Sequence, residues 1–427
     1  MYRGVAVTAL ARPLLAAICI FVLAVAAGVA TAAPAGQAKT PKQPAASPHK
    51  PLAPAAATGA FGIDLMRAQG PGNVVLSPDS VAAALAMTGM GGVGPTAAEI
   101  ARTLHLKGPA ALAAVGDLQR AIVAGQAAAA GGDPEAPTLE IANGLFLQQG
   151  LPFEPAFLSG VQRRFGAAPQ TVDFAGDPGG ALDAINGWVN ERTRGRIPQI
   201  LSSLPEEMAL ALANAIYLDA DWKHPFEKSS TRPGVFHKAA GKVTVDFMHQ
   251  TELLRYGAGP GYKAVALPYR SSTLSLLAVL PVGQPLGSLQ RRLGGGRLGR
   301  IAGGLSTRPV ILSLPRFHLE TEVELTSALK RLGMRTSFSE AANFSRITTA
   351  VPLKIGFVKH AADFTVDEEG TVAAAATVVG VQLSSAASPR DPVTFKANRP
   401  FLFFLRDDRT GAVLFAGRLT DPASAGP

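Results

Sequence analysis

Twelve consecutive residues toward the carboxyl end, Gly370 to Val381, carry no charge and no side chain larger than valine. Four alanines, Ala373 to Ala376, lie between Thr371-Val372 and Thr377-Val378-Val379. Alanine has the best helix propensity, so an Ala-rich helix is the plain expectation. Against it, no charged residue solubilises any face and the β-branched ends favour extended backbone. The same residues suit a strand that slots between two existing ones, because alternate side chains then point to opposite faces. Thr371, Ala373, Ala375, Thr377, Val379 and Val381 would share one face, and all are small enough to lie over a packed core. The polar run that follows, Gln382 to Arg390, reads as an exposed loop that a protease can enter.

A second uncharged run lies at the amino end. Arg3 and Arg12 precede Leu14 to Ala30, 17 residues without a charge, and small residues follow as Ala30-Thr31-Ala32. This is the pattern of a secretory signal, residues 1–32, and it implies a protein outside the cell or in a periplasm. Seventeen residues approach the roughly 20 that span a bilayer, so a retained signal anchor is the alternative. Cys19, the chain's only cysteine, lies in this run without the small-residue box of a lipidated terminus, so no acyl anchor is expected. The processed chain has no disulfide, and its fold must rest on its core alone. Residues 33–58, with Pro34, Pro41, Pro44, Pro48, Pro51 and Pro54 among Ala and Lys, read as an extended linker unable to hold a helix. Order is expected from near Phe61. No second linker of this kind follows, so 59–427 is read as one large domain, for which a 47% hydrophobic composition supplies ample core.

Within that domain helical and strand periods are mixed. Ser77-Pro78-Asp79-Ser80 opens an Ala/Leu helix over Ser80 to Met87, with a side-chain oxygen to cap free amides. Leu182 to Arg194 has Ile185, Trp188 and Val189 at helical spacing, and Thr326 to Leu332 is a third helix stopped by Gly333. Leu212–Leu218, Leu274–Leu280, Val310–Leu314, Phe401–Leu405 and Val413–Phe415 read as buried strands. Helices cluster early and strands late, which favours α+β with antiparallel or mixed sheets over a doubly wound fold.

Motifs for catalysis are mostly missing. The seven histidines show no His-Glu-x-x-His and no pair four apart, and with no cysteine to join them no metal site is expected. There is no Gly-x-Ser-x-Gly elbow. Gly89-Met90-Gly91-Gly92-Val93-Gly94 fits a dinucleotide fingerprint, but a helix precedes it where that site needs a strand, so it reads as a helix stop and turn. Asn343-Phe344-Ser345 reads as a chance tripeptide. Lys and Arg number 40 against 31 Asp and Glu, a net charge of +9 that falls to +7 without Arg3 and Arg12. The basic residues are spread rather than concentrated, so nucleic acid is not an expected partner.

From about Phe61 to Pro422 the sequence resembles the serpins, serine protease inhibitors. Asn73-Val74-Val75-Leu76-Ser77-Pro78-Asp79-Ser80 and Thr96-Ala97-Ala98-Glu99-Ile100 look like the family's opening strand and helices. Ala213-Asn214-Ala215-Ile216-Tyr217-Leu218 with Trp222 and Phe226 is similar to a central-sheet strand and its exit. Leu267-Pro268-Tyr269, Val279-Leu280-Pro281, Leu314-Pro315-Arg316-Phe317 and Leu332-Gly333-Met334 follow in family order. Val393-Thr394-Phe395-Lys396-Ala397-Asn398-Arg399-Pro400-Phe401 looks like the carboxyl-terminal segment of antithrombin, a member of that family.

The resemblance implies an α+β serpin-like fold with mixed sheets, a large central sheet with a gap, surrounding helices and an exposed reactive loop. It implies a suicide inhibitor of serine proteases, not an enzyme, with no cofactor. Glu368, Glu369, Gly370, Thr371, Ala373, Ala374, Ala375, Ala376 and Thr377 would form the hinge, the two glutamates simply solvated. Ser77, Ser80, Asn214 and His360 would form the shutter, a hydrogen-bonded cluster beneath the sheet, and Trp222 would lie at the breach where the hinge enters. Family spacing puts the reactive bond at Ser384–Ser385, with Leu383 and Arg390 as alternatives. The partner would be an elastase- or subtilisin-like protease for Ser384, chymotrypsin-like for Leu383 and trypsin-like for Arg390. A monomer is expected. A polyanion held by Arg291, Arg292, Arg297 and Arg300 is the weaker expectation, since such arginines are more often a solvated loop. The alternative within the family is a non-inhibitory serpin, a binding protein or chaperone.

Overall fold

Five of the six α-helices among the described residues of the first half of the chain begin at a proline, whose fixed φ suits the first helical position and whose missing N–H would have no partner there. They are α1 (Pro54–Ala68), α2 (Pro78–Met90), α3 (Pro95–Thr103), α5 (Pro155–Phe165) and α6 (Pro178–Arg192); α4 (Ala113–Ala130) starts on alanine. Ser77 caps α2 by accepting from the Ser80 amide at 3.1 Å, and Asp177 caps α6 through the Gly180 amide at 2.9 Å. The structure is a computed structural model and describes residues 17–27, 53–205, 207–294, 296–371 and 391–424, with the side chains of Val22 and Leu23 only in the first of these segments. Three short helices complete the described set: α7 (Leu286–Arg292), α8 (Arg297–Gly303) and α9 (Thr326–Arg331).

The strands are β1 (Ala17–Ala27), β2 (Val74–Leu76), β3 (Thr138–Gln148), β4 (Pro169–Val172), β5 (Met208–Asp221), β6 (Arg232–His237), β7 (Lys242–Gly259) and β8 (Tyr262–Pro268). They continue as β9 (Leu274–Pro281), β10 (Ser306–Pro315), β11 (Phe317–Glu324), β12 (Leu353–Val366), β13 (Gly370–Thr371), β14 (Val393–Lys396), β15 (Phe401–Asp407) and β16 (Val413–Leu419). A seven-stranded sheet runs β11-β12-β1-β5-β3-β4, with β13 on β5; a nine-stranded sheet runs β14-β10-β7-β8-β9-β15-β16-β2, with β6 on β7. Both are mixed, since β3/β4 and β10/β14 are parallel and the other pairs antiparallel.

Period 2 sorts the long strand β5 between three apolar clusters. Ile216, Leu218 and Ala220 face the nine-stranded sheet together with Phe364, Phe403 and Phe415. Leu210 and Leu212 join α2 and the other early helices in the main core. Ala211, Ala213, Ala215 and Tyr217 point the other way, onto Ile185 and Val189 of α6.

Two expectations are corrected. Residues 33–58 do hold the start of a helix: α1 begins at Pro54, and Ala57 and Thr58 are already buried. Proline at the first helical position and the alanines behind it are good helix starters, and packing of Ala57 and Phe61 into the core supplies the rest. Nor is the central sheet left with a gap, because β1, the uncharged run read as a signal, lies between β5 and β12 and pairs with both.

Candidate functional site

At one end of the seven-stranded sheet the chain leaves β12, turns through Asp367–Glu369 and returns as β13. The turn is local chemistry: one Asp367 carboxylate oxygen accepts from the amides of Glu369 and Gly370, both at 3.0 Å. Burial pushes the Asp367 carboxyl above its ordinary range, with those two amides acting in the opposite sense. Gly370 and Thr371 then pair antiparallel with Asp221 and Ala220. A Cβ on residue 370 would lie 2.8 Å from the Asp221 Cα and still closer to the Ala220 carbonyl oxygen, so only glycine allows this approach.

Trp222 lies directly on this turn. Its indole N–H donates to the Asp367 carbonyl at 2.9 Å and its amide to the Glu369 carbonyl at 2.8 Å. Its ring stacks on Tyr269 with centroids 4.5 Å apart, and the Tyr269 hydroxyl meets the fully buried Thr371 hydroxyl at 2.6 Å. Burial raises the Tyr269 pKa, so the phenol stays neutral at ordinary pH. Glu368 and Glu369 are not simply solvated. Glu368 is 5% exposed, accepts from Thr231 Oγ1 at 2.7 Å and lies 3.4 Å from Arg316 Nε, and Glu369 pairs with Lys228. The segment between the two sheets draws both carboxylates onto cations that are far away in sequence.

Beneath the middle of the sheet, His360 Nε2 accepts from the Ser77 amide at 3.1 Å, and Ser77 in turn caps Ser80. Asn214 belongs to a different network. It donates to Asn143 Oδ1 at 2.7 Å, Asn143 donates to Gln119 Oε1 at 3.1 Å, and Gln119 donates to Asp79 Oδ2 at 2.7 Å. The four residues expected in one cluster are therefore split, because β1 runs between the strands that carry Asn214 and His360. Phe21 sits opposite both of them in register. All four are fully buried, and the Ser80 hydroxyl and Asn214 Oδ1 have no partner among the described residues. Asp79 is buried as well, which pushes its carboxyl up to about 6 despite the Gln119 hydrogen bond.

Sequence reasoning missed the residues that these networks recruit. Asp79, Tyr269 and Arg316 lie inside recognised blocks without a role there, while Asn143, Gln119 and Thr231 carry no local signal and meet their partners only through the fold. It also missed a group formed across β11 and β12, where His318 Nε2 lies 3.1 Å from Asp363 Oδ2 and 3.6 Å from Glu320 Oε1. The Asp363 carboxylate beside it raises the His318 pKa. Ala373, Ala374, Ala375, Ala376, Thr377, Leu383, Ser384, Ser385 and Arg390 lie outside the described residues. Arg291, Arg292 and Arg300 are exposed and Arg297 half-buried on α7 and α8.

Residues 56–422 match the model of the family described as Serpin (serine protease inhibitor). The chain is 34% identical over 370 residues to an uncharacterized serpin-like protein of Thermococcus kodakarensis, spanning 86% of this chain and 85% of that one. It is 34% identical over 371 residues to the leukocyte elastase inhibitor of Bos taurus, spanning 82% and 93%. Among solved structures, a cleaved Serpin 42Da superimposes with a TM-score of 0.73 at 30% identity, covering 86% of this chain and 98% of that one. A native thermophilic serpin, tengpin, gives 0.70 at 26% identity, covering 86% and 93%. The chain belongs to the serpin family and has its α+β fold.

Proposed function

We propose that this serpin is an exported suicide inhibitor of serine proteases that acts by adding a strand of its own to the seven-stranded sheet. The observation that carries the reading is the register of β13, which pairs antiparallel with the last two residues of a 14-residue β5. Continued along β5, that ladder would set Ala373 opposite Leu218, Ala375 opposite Ile216, Thr377 opposite Asn214, Val379 opposite Leu212 and Val381 opposite Leu210. All five partners are fully buried, so the inserted face must be small, as these residues are. Gly370 to Leu383 also number 14. A chain cut between Ser384 and Ser385 would thus cover the whole of β5, about 45 Å at about 3.3 Å per residue. A cut after Arg390 would leave seven residues beyond the strand's end.

In this scheme the protease's serine oxygen bonds the carbonyl carbon of Ser384, and the nitrogen of Ser385 leaves as a free amine. Insertion of the freed segment then carries the ester-linked protease across the sheet before water can complete hydrolysis. Each new backbone hydrogen bond contributes about 1 kcal/mol net, and burial of Val379 and Val381 about 2 kcal/mol apiece. The outcome is a race between insertion and deacylation. Similarity to leukocyte elastase inhibitors from Bos taurus and Xenopus tropicalis supports an elastase-class target that accepts small residues. A chymotrypsin-like target would instead read Leu383, and a trypsin-like one Arg390.

The non-inhibitory alternative predicts bulky, charged or proline residues after Gly370, and the sequence has none there. Incubating the chain processed after Ala32 with elastase or subtilisin discriminates: a denaturant-resistant complex supports inhibition, and clean cleavage without one supports a binding protein. The mass of the small released fragment locates the cut bond. Export rests on the amino-terminal pattern alone; among the described residues no helix is long and apolar enough to cross a membrane. Secreted material beginning at Ala33 would support it, and a chain retained by its first 32 residues would mark the signal anchor. The polyanion reading rests on Arg291, Arg292, Arg297 and Arg300 and predicts retention on a polyanion that falls steeply with salt.

A further inference from the structure

The strand-addition reading needs a slot between β5 and β12, and in the uncut chain that slot is taken. β1 pairs antiparallel with both strands, from Ile18 opposite Asp363 to Ala27 opposite Leu353 on one side, and from Ala17 opposite Leu218 to Ala26 opposite Met208 on the other. Its direction and line are those of β13. Thr371 is opposite Ala220 and Ala17 opposite Leu218, so only Asp219 separates the two strands along the edge of β5. A continuation of β13 by more than one residue meets β1 end to end. Two strands cannot occupy one row of hydrogen-bonding groups, so the exclusion is steric and complete.

The sequence of β1 suits the place. Ala17–Ala27 carries no charge, and Val22 and Leu23 are both fully buried on opposite faces, Val22 with the α6 cluster and Leu23 in the main core. By the register above, Val22 and Leu23 stand where Val378 and Val379 would come to lie. The strand also holds Asn214 and His360 two strand spacings apart, about 9.6 Å.

We infer that residues 17–27 are an internal latch: an apolar strand of the chain's own amino end that fills the slot, keeps the uncut protein from acting as an inhibitor, and is removed by the same cut after Ala32 that the amino-terminal pattern indicates. The inference rests on the strand-addition reading for its consequence, but the occupancy of the slot is testable without it. Inhibitory capacity then arises only when the first 32 residues are gone, which confines it to processed protein.

The test uses the full chain of 427 residues and two variants of it. Leu23→Asp puts a charge among Leu212, Val358 and the main core, and Ala24→Pro removes a ladder N–H from the middle of the strand. Amide exchange in the unsubstituted chain is expected to be at least about 100-fold slower over 18–26 than in a free peptide, and to revert toward the free rate in either variant. Incubated with elastase, the unsubstituted chain should be cut without forming a denaturant-resistant complex, while the variants yield at least tenfold more complex. Free-peptide exchange over 18–26 in the unsubstituted chain, or complex formation as ready as in the variants, overturns the latch. Protection that is lost in the variants with no complex from either keeps the occupied slot and removes the inhibitory reading instead. Should both variants fail to fold, the exchange pattern of the unsubstituted chain decides alone.

Discussion

Asp79 is the residue where burial and ionisation conflict most openly. Its carboxyl has one hydrogen bond, from Gln119, and one oxygen with no partner among the described residues. With a folded pKa of about 6 against 3.8 unfolded, the folded state holds the proton more tightly, so this contribution to stability is complete below about pH 3.8 and is lost as pH rises through 6. The shift corresponds to about 3 kcal/mol. Asp79→Asn keeps the shape and removes this titration, so the fall in denaturant midpoint between pH 4 and 7 should be smaller in the variant than in the parent, with Asp367 and Asp221, whose carboxyls burial also raises, supplying what remains. His318 has the same sign for a different reason. The neighbouring Asp363 carboxylate raises its pKa, so its contribution is complete below about 6.5 and disappears as pH rises through the higher folded value. Asp363→Asn should therefore destabilise the protein at pH 6 and hardly at pH 9, read from thermal midpoints at the two values. Neither residue's situation was legible in the chain. Asp79 reads as part of a helix cap, and the Gln119 that meets it lies 40 residues on; His318 and Asp363 meet only through the pairing of β11 with β12.

At the scale of elements, legibility followed how local the cause is. The helix opened by Ser77, the amphipathic helix around Ile185 and the strands at 212–218, 274–280 and 401–405 are all present, because cap chemistry and period-2 or period-3.6 patterning lie within a few residues. The linker expectation failed at its end, where the core claims Ala57 and Phe61 and extends the helix back to Pro54. In the sequence the two glutamates of the turn from β12 into β13 read as solvated, yet the turn is held by Trp222, Tyr269, Thr231 and Arg316, on three other stretches of chain. That turn aims the chain along β5, and Thr371 is its first fully buried strand residue. Thr371→Arg in the processed chain should leave cleavage by elastase intact and cut the yield of denaturant-resistant complex at least tenfold, since the guanidinium cannot enter the space beside Tyr269 and Ala220. Thr371→Val keeps the volume and removes only the hydroxyl contact. It should cost about 1 kcal/mol of stability in equilibrium unfolding and leave the complex yield near that of the parent.

The molecule as a whole brings residues 17–27 and 370–371, the described parts of two uncharged runs at opposite ends of the chain, onto β5. Each stands out in the sequence by itself, one with the pattern of a signal and one with small side chains suited to an inserted strand. That the proposed insertion would need the row of β5 that β1 holds is visible only in the register of the folded sheet, where Ala17 and Thr371 meet across Asp219. In the proposed mechanism a slot between β5 and β12, once freed, accepts the severed loop as a new strand. The most direct test is the thermal midpoint of the chain processed after Ala32, measured before and after a single cut within residues 382–390. The cut protein is expected to melt higher by about 10 °C or more, through the added ladder and buried valines; a cut protein that melts at or below the intact one rules strand addition out.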